Sequence, residues 1–321
     1  MAWTFLADRG DLAINRIDEG GVGGARVLQF ALTANVVTYA ITGGRFGYWR
    51  LFPASPPWIV PPAWGEVECG GEPLYGLVPI ASHAALILKP RGDEFHEASP
   101  HRATLDRGYN RYLPANGSLR DREDWMLFRP LVTLGWALVR WLREQDWLGA
   151  RRLVVTSASS KTALAFAVQA ADGPPLLGLS GDIGFVERTG LYAAVTGYDA
   201  PPPLSHDDVV LDFAGNAGLL DRLRRHGAPR IVPIGATHAE HESLAAADVF
   251  FAPHHVGAAI LANGAMAVER ARNDAVAAFA DRSRPWFTRT YLDGADAIAD
   301  GFRAMLGNRV PADRLVIARP G

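Results

Sequence analysis

The run Arg152-Leu-Val-Val-Thr-Ser-Ala-Ser-Ser-Lys-Thr-Ala-Leu-Ala-Phe-Ala-Val168 constrains this chain more than any other. Leu153–Val155 is a short, largely β-branched apolar run of the kind a buried parallel strand needs. Small polar and alanine positions follow, and Thr162 to Ala170 reads as helix. A strand, a tight small-residue turn and a helix make the phosphate-binding corner of a dinucleotide fold, where free amides and the helix dipole hold a pyrophosphate. The glycines of G-x-G-x-x-G are missing; serines and alanines stand in their places, small enough for close approach and adding hydroxyl donors. Ser160-Lys161-Thr162 also matches the end of a P-loop, but that motif needs glycines where Val155 and Ser160 stand. An ordinary strand and buried helix would explain the apolar residues. It would not explain a lysine between two hydroxyls at a helix start, where a cation is unfavourable unless an anion is near.

At 321 residues the chain favours two domains over one core. Hydrophobic content of 49% with 21% charge is that of a soluble globular protein, and no segment has the roughly 18 uninterrupted apolar residues of a membrane span. A net charge of −2 makes no electrostatic case for nucleic acid or an anionic membrane. The single cysteine, Cys69, excludes an intrachain disulfide framework and a multi-cysteine zinc lobe. With no basic leader before the short apolar start, a cytoplasmic location is the expectation.

Residues 1 to about 120 are rich in Pro, Gly and aromatics and poor in helical periodicity. Strands are expected at Val27–Leu32, Gly65–Glu68 and Leu74–Ile80, with Gly43–Pro53 a glycine-aromatic loop. Such loops carry more aromatic surface than solvent tolerates without a ligand or partner domain. Ser118–Asp121 and Asp124 supply helix-start signals, and Trp125–Arg143 is an apolar helix that Pro130 and Gly135 should kink or split. Six strands follow at Leu153–Val155, Leu176–Leu179, Val195–Tyr198, Val209–Phe213, Ile231–Ile234 and Val249–Phe251. Helices fall between most of them, at about 163–171, 184–190, 216–226 and 240–246. That alternation specifies a doubly wound parallel sheet. A long helix is expected over Gly257–Asp281, then a strand in Trp286–Tyr291, a helix Ala295–Leu306 and a strand Leu315–Ala318.

This order of parts resembles the medium-chain dehydrogenase/reductase superfamily. The likeness is nearest to its zinc-independent quinone-oxidoreductase and enoyl-reductase branch, and within that to an uncharacterised domain-of-unknown-function group. Leu32-Thr-Ala-Asn35 through Gly44 lies where the branch has N-x-x-D…R-x-G-x-Y. Val210-Leu-Asp-Phe-Ala-Gly215 resembles its strand-four V-x-D-x-x-G, Ile231-Val-Pro-Ile-Gly235 its strand-five glycine, and Asp293-Gly-Ala-Asp…Leu315-Val-Ile its closing helix and strand. The resemblance implies an α/β fold: a GroES-like β-rich domain from residues 1–118 and 282–321, and a Rossmann domain from 119–281. It implies NADP as cofactor, with NAD as the alternative, held by Thr156, Ser157, Ser159, Ser160, Lys161, Thr162, Ser180, Tyr198, Gly215, Asn216 and Gly235. Asp182 favours NAD, whereas Ser180 with Tyr198 resembles NADP-type reductases, whose lysine in the following helix has no counterpart here. Trp64-Gly-Glu-Val-Glu-Cys69 replaces the catalytic-zinc G-H-E signature, so no metal is expected. Thr38 lies near the branch's Asp.

A tyrosine near Tyr39 is the proton donor the resemblance implies, and a hydroxyl suits protonation of a carbon or enolate oxygen after hydride arrives. Tyr39 ranks before Tyr48 because Asn35 precedes it by one helical turn. Trp49 and Phe52 would line the substrate slot with these tyrosines, or the aromatics simply pack the small domain. Tyr109 and Asn110, with His101-Arg102, either bind a polar substrate group or form a hydrogen-bonded connector. His238-Ala-Glu-His241 and His254-His255 lack the acid or cysteine partners of a metal site. Cys69 reads as an inert thiol. The function expected is NAD(P)H-dependent hydride transfer to a small or medium enone- or quinone-type substrate, with a homodimer as the assembly the resemblance allows. A nucleotide-binding or scaffold protein without redox activity, and a non-redox lyase or isomerase using the aromatic cleft, stay open.

Overall fold

The computed structural model describes residues 2–20, 23–225, 227, 229–234 and 250–321. The described elements, in chain order, begin with strands β1 (Trp3–Asp8), β2 (Asn15–Glu19) and β3 (Ala25–Ala31), then helix α1 (Ala34–Phe46). Next come β4 (Trp58–Ile59), β5 (Pro62–Cys69), β6 (Glu72–Pro79), β7 (His83–Ala84), β8 (Leu88–Arg91), β9 (Glu94–Glu97) and β10 (Arg111–Pro114). The long α2 (Leu119–Glu144) leads into β11 (Arg152–Val155), α3 (Lys161–Gln169), β12 (Leu176–Leu179), α4 (Ile183–Thr189) and β13 (Ala194–Thr196). Then follow β14 (Asp208–Asp212), α5 (Ala217–Arg225), β15 (Arg230–Pro233), α6 (Ala252–Asn263) and α7 (Ala265–Ser283). The chain closes with β16 (Thr288–Asp293), α8 (Ala295–Leu306) and β17 (Arg314–Arg319). Two compact units result, Met1–Leu127 with Thr288–Gly321, and Phe128–Phe287.

The first unit is GroES-like. Its large sheet runs β16-β17-β3-β5-β6-β10-β9-β8, antiparallel except where β16 lies parallel to β17, and a smaller sheet runs β2-β1-β4. Alternating apolar positions of β1, β3, β5 and β6 bury Phe5, Phe30, Val67 and Val78 with Phe302 of α8. The Phe5 and Phe302 rings meet at 4.8 Å. The C-terminal strands are tied in by a buried carboxylate: Glu123 takes Arg289 Nε at 3.0 Å, Arg319 at 3.4 Å and a hydrogen bond donated by the Tyr291 hydroxyl at 3.1 Å. One expectation for this unit fails. Residues 34–46 are helix, so Gly43 to Phe46 belong to α1 and not to a loop. The two glycines that suggest a loop instead make room for the Trp49 ring, which a Cβ on Gly43 would meet at 2.0 Å.

In the second unit a fully parallel sheet runs β13-β12-β11-β14-β15, the strand order of one half of a doubly wound fold extended to five. The sixth expected strand does not extend through its described residues. Phe250 and Phe251 are outside any strand, although the Phe250 amide donates to the Pro233 carbonyl at 2.9 Å. The expected helix at 240–246 lies outside the described residues. Helix α2 is continuous through Pro130 and Gly135, so the expected alternative of two helices does not occur. Gly135 is a contact point: a Cβ there would stand 3.0 Å from the Phe166 amide nitrogen of α3. Gly135→Val should therefore destabilise the protein by roughly 1–3 kcal/mol through overpacking. An unchanged urea midpoint would contradict that close approach. The helix expected over Gly257–Asp281 is two, α6 and α7, because Gly264 between them has a φ of 83°. Residues without a Cβ adopt that conformation freely, and it cannot continue a right-handed helix.

Candidate active site

The corner after β11 is built without glycine. Ser157 takes the left-handed region with a φ of 51°, a conformation that costs a residue with a Cβ about 1 kcal/mol or more. Several bonds hold the turn in that shape. The Ser160 amide donates to the Ser157 carbonyl at 2.8 Å, Ala158 to Leu179 at 3.0 Å, and the Tyr192 hydroxyl to the Ala158 carbonyl at 3.3 Å. Burial raises the Tyr198 phenol, and Ser157 opposes that rise.

Ser160 is the N-cap of α3, its hydroxyl accepting from the Ala163 amide at 3.2 Å. The amides of Ser159 and Thr162 have no acceptor among the described residues, and Ser157, Ser159, Lys161 and Thr162 are half-buried around them. Open amides, two hydroxyls and a cation at a helix N-terminus match the chemistry of a diphosphate. The Lys161 ammonium stands 5.5 Å from the centre of the Phe287 ring.

Thr156 has a different task from the one expected. Its hydroxyl donates to Asp212 Oδ1 at 2.7 Å and accepts from the Phe213 and Ala214 amides at 3.0 and 3.1 Å. Asp212 also accepts from Ala214 at 3.1 Å and from Gly215 at 3.2 and 3.1 Å. Thr156 and Asp212 are both fully buried, so the pair clamps the end of β11 to the loop after β14, and this threonine hydroxyl is used up inside the fold. That clamp places Gly215, at a φ of 70°, and Asn216, whose side-chain oxygen accepts from the Leu219 amide at 2.9 Å to start α5. Gly235, His238 and His241 lie outside the described residues.

At the end of β12, Ser180 is buried and its hydroxyl accepts from the Asp182 amide at 3.0 Å. Asp182 turns one carboxylate oxygen into the cap of α4, accepting from Phe185 at 3.0 Å. A cation that sequence reasoning passed over, Arg188 of α4, has its Nη1 3.6 Å from where a Cβ on Gly184, in the first turn of that helix, would stand.

In the first unit α1 presents Asn35 and Tyr39, one turn apart, to β5. The Tyr39 hydroxyl oxygen accepts from Trp64 Nε1 at 3.0 Å and from Asn35 Nδ2 at 3.5 Å. Burial pushes the Tyr39 phenol up to about 12, with both hydrogen bonds acting in the other direction. Tyr48 packs on it at 4.6 Å between ring centres, and the Tyr48 and Tyr109 hydroxyls share a hydrogen bond of 2.8 Å. Burial raises both of those phenols well above the usual tyrosine range. Tyr48 and Tyr109 are buried, whereas Tyr39 is half-buried.

The other expected substrate residues are drawn into packing. Trp49 lies over Gly43 and donates its indole N–H to the Ala40 carbonyl at 2.8 Å. Phe52 is buried beneath the Arg102 guanidinium at 4.6 Å. Asn110 donates to the Arg102 carbonyl at 3.1 Å. Arg102 itself is buried, donating to Leu51 at 3.0 Å with Nε 3.3 Å from Glu97, so this segment serves as a connector.

A family profile described as protein of unknown function (DUF2855) matches residues 30–311. The chain belongs to the DUF2855 family. No curated protein matches it by sequence. CurA from Vibrio vulnificus has a similar fold, with a TM-score of 0.57 at 11% identity, covering 99% of each chain. Galactitol-1-phosphate dehydrogenase from Escherichia coli is similar at a TM-score of 0.52 and 12% identity, over 99% of this chain and 100% of that one. The yhdH oxidoreductase from Salmonella enterica, solved in complex with NADP, is similar at a TM-score of 0.50 and 14% identity over 96% of each. This DUF2855 chain thus has the fold of the medium-chain dehydrogenase/reductase superfamily. Its described residues contain no group of three or more His, Cys, Asp or Glu arranged to hold a metal, and no helix long and apolar enough to cross a membrane.

Sequence reasoning missed Trp64 and Arg188 in this DUF2855 protein. Along the chain Trp64 stands out only as part of the segment replacing a zinc signature, yet it meets Tyr39 across 25 residues. For Arg188 there was a signal, a basic residue six positions after Asp182 in an amphipathic helix.

Proposed function

We propose that this protein is an NADPH-dependent reductase of small or medium enones or quinones. The observation that carries this reading is the corner Ser157–Thr162, where open amides, hydroxyls and Lys161 gather at the start of α3 behind a parallel strand. Ser157, Ser159, Lys161 and Thr162 would hold the pyrophosphate, and Asn216 and Gly215 the far side of the cofactor. Arg188 is the cation suited to a 2′-phosphate, with one oxygen of Asp182 turned away into its helix cap, which favours NADP over NAD. When bound, NADPH would supply the hydride, delivered to the β-carbon of an enone.

Tyr39 completes the reduction. Its phenol stays protonated throughout the physiological pH range and gives its proton to the α-carbon, far more basic than a phenolate. The phenolate is then reprotonated by water. Trp64 and Asn35 direct their N–H groups at the oxygen, so the phenolic proton is not spent on either. Tyr48 and Tyr109, hydrogen-bonded to each other, are less suited to that task.

NADPH at about a hundred times its dissociation constant should stabilise the fold by roughly 2.7 kcal/mol. Lys161→Ala should weaken NADPH binding by about 1.5–3 kcal/mol, the range for hydrogen bonds to charged groups. Calorimetry with NADPH and NADH on both proteins checks this. A melting temperature unmoved by millimolar concentrations of either nucleotide would overturn the cofactor assignment and favour a scaffold role.

A further inference from the structure

Tyr39 accepts a hydrogen bond from an indole, and an indole N–H has no acceptor function. That asymmetry matters. A carboxylate or carbonyl at the same place would draw the phenolic proton to itself. An indole leaves the oxygen accepting, so the O–H bond is turned elsewhere. Trp64 is held in position from two directions. Its backbone sits in β5, paired across the ladder with Leu77 of β6, and its ring is stacked on Tyr75 at 5.4 Å with the planes 14° apart. The N–H therefore reaches Tyr39 at 3.0 Å from a platform that does not depend on α1.

We propose that Trp64 is a positioning residue, whose indole N–H orients the Tyr39 hydroxyl toward substrate and then holds the charge left on the oxygen once the proton has gone. The inference rests on the assignment of Tyr39 as proton donor. The step balances simply: the Tyr39 O–H bond breaks, the proton forms a C–H bond on the reduced substrate, and the electron pair stays on oxygen. A phenolate in this half-buried setting has few other partners. Asn35 is at 3.5 Å, and the ring packed against it belongs to Tyr48, a neutral phenol that carries no compensating charge. The 3.0 Å hydrogen bond from Trp64, closer than that from Asn35, is thus the larger share of its stabilisation.

The test replaces Tyr39 by trifluorotyrosine, which brings phenol ionisation into a measurable range, in the full-length protein. The ionisation midpoint is then followed by absorbance and fluorine resonance. Exchanging Trp64 for Phe keeps the stack on Tyr75 and removes the N–H; 3-benzothienylalanine at the same position is the closer isostere if W64F folds poorly. In either background the midpoint should rise by about one to two pH units. With native Tyr39, the solvent-isotope-sensitive step should slow about tenfold or more while NADPH affinity holds. A midpoint that does not move in the benzothienyl protein overturns the proposal, even if turnover falls, because a packing role alone would leave the ionisation where it was. Full turnover in Tyr39→Phe is a separate result, which overturns the donor assignment and the inference with it.

Discussion

Tyr39→Phe should lower the rate of enone reduction by about 10²- to 10⁴-fold while leaving NADPH affinity nearly unchanged. The substitution removes one oxygen and its proton from a ring that keeps its packing against Tyr48 at 4.6 Å. Proton donation matters only while the barrier is crossed, so the loss should appear in single-turnover rates and not in cofactor binding. Trp64 loses an acceptor, but its ring remains stacked on Tyr75, which limits the effect on folding. Stopped-flow loss of NADPH absorbance with methyl vinyl ketone, and calorimetric titration of NADPH, measure the two quantities. If Tyr39→Phe turns over normally and Tyr48→Phe does not, the proton comes from the neighbouring hydroxyl. If neither change matters, the aromatic cluster is packing, and a non-redox or scaffold function becomes the better account.

Asp212→Ala should unfold much of the second unit's margin of stability, by roughly 3–5 kcal/mol. Three protein donors make four hydrogen bonds to this side chain: the Thr156 hydroxyl at 2.7 Å, and amides from Ala214 and Gly215 at 3.1–3.2 Å, with Gly215 reaching both oxygens. Asp212 is 1% exposed, Thr156 0% and Ala214 4%, whereas Gly215 is half-buried. Truncation leaves several buried donors unmatched at once, and domains are commonly stable by only about 5–15 kcal/mol. Asp212→Asn keeps one acceptor oxygen and should cost less than half as much. Thr156→Val removes the other half of the clamp and should fall between the two. Denaturant unfolding of the three variants supplies the comparison. Equal midpoints for wild type and Asp212→Ala would show that the loop after β14 is held by something else.

Much of the Rossmann unit is legible in the chain itself, because its signals are local. Leu153–Val155 and Val209–Leu211 are buried on both faces and therefore read as continuous apolar runs, and the small polar turn after Val155 marks the approach to α3. What misled was residue type judged without its neighbour. Gly43 and Gly44 suggest a loop until Trp49 is seen lying against them, and Gly135 suggests a break until α3 is found passing close by. Gly264 misled the other way. It looks tolerable in an alanine-rich run, yet its positive φ ends α6.

The candidate site divides along the same line. Legible along the chain are the strand–turn–helix corner, the tyrosines around residue 39 and the order of α and β elements. Each of these follows from spacing along the chain, with Asn35 one helical turn from Tyr39. The packed fold sets which groups are spent and which are open. It committed the Thr156 hydroxyl to Asp212, from 56 residues away, and brought the Trp64 indole to Tyr39. It also placed Trp49 and Phe52 in packing roles. Hydrogen bonds between distant residues depend on strand register and helix packing, which no local pattern encodes, so the chemistry of each side chain was legible but its partner was not.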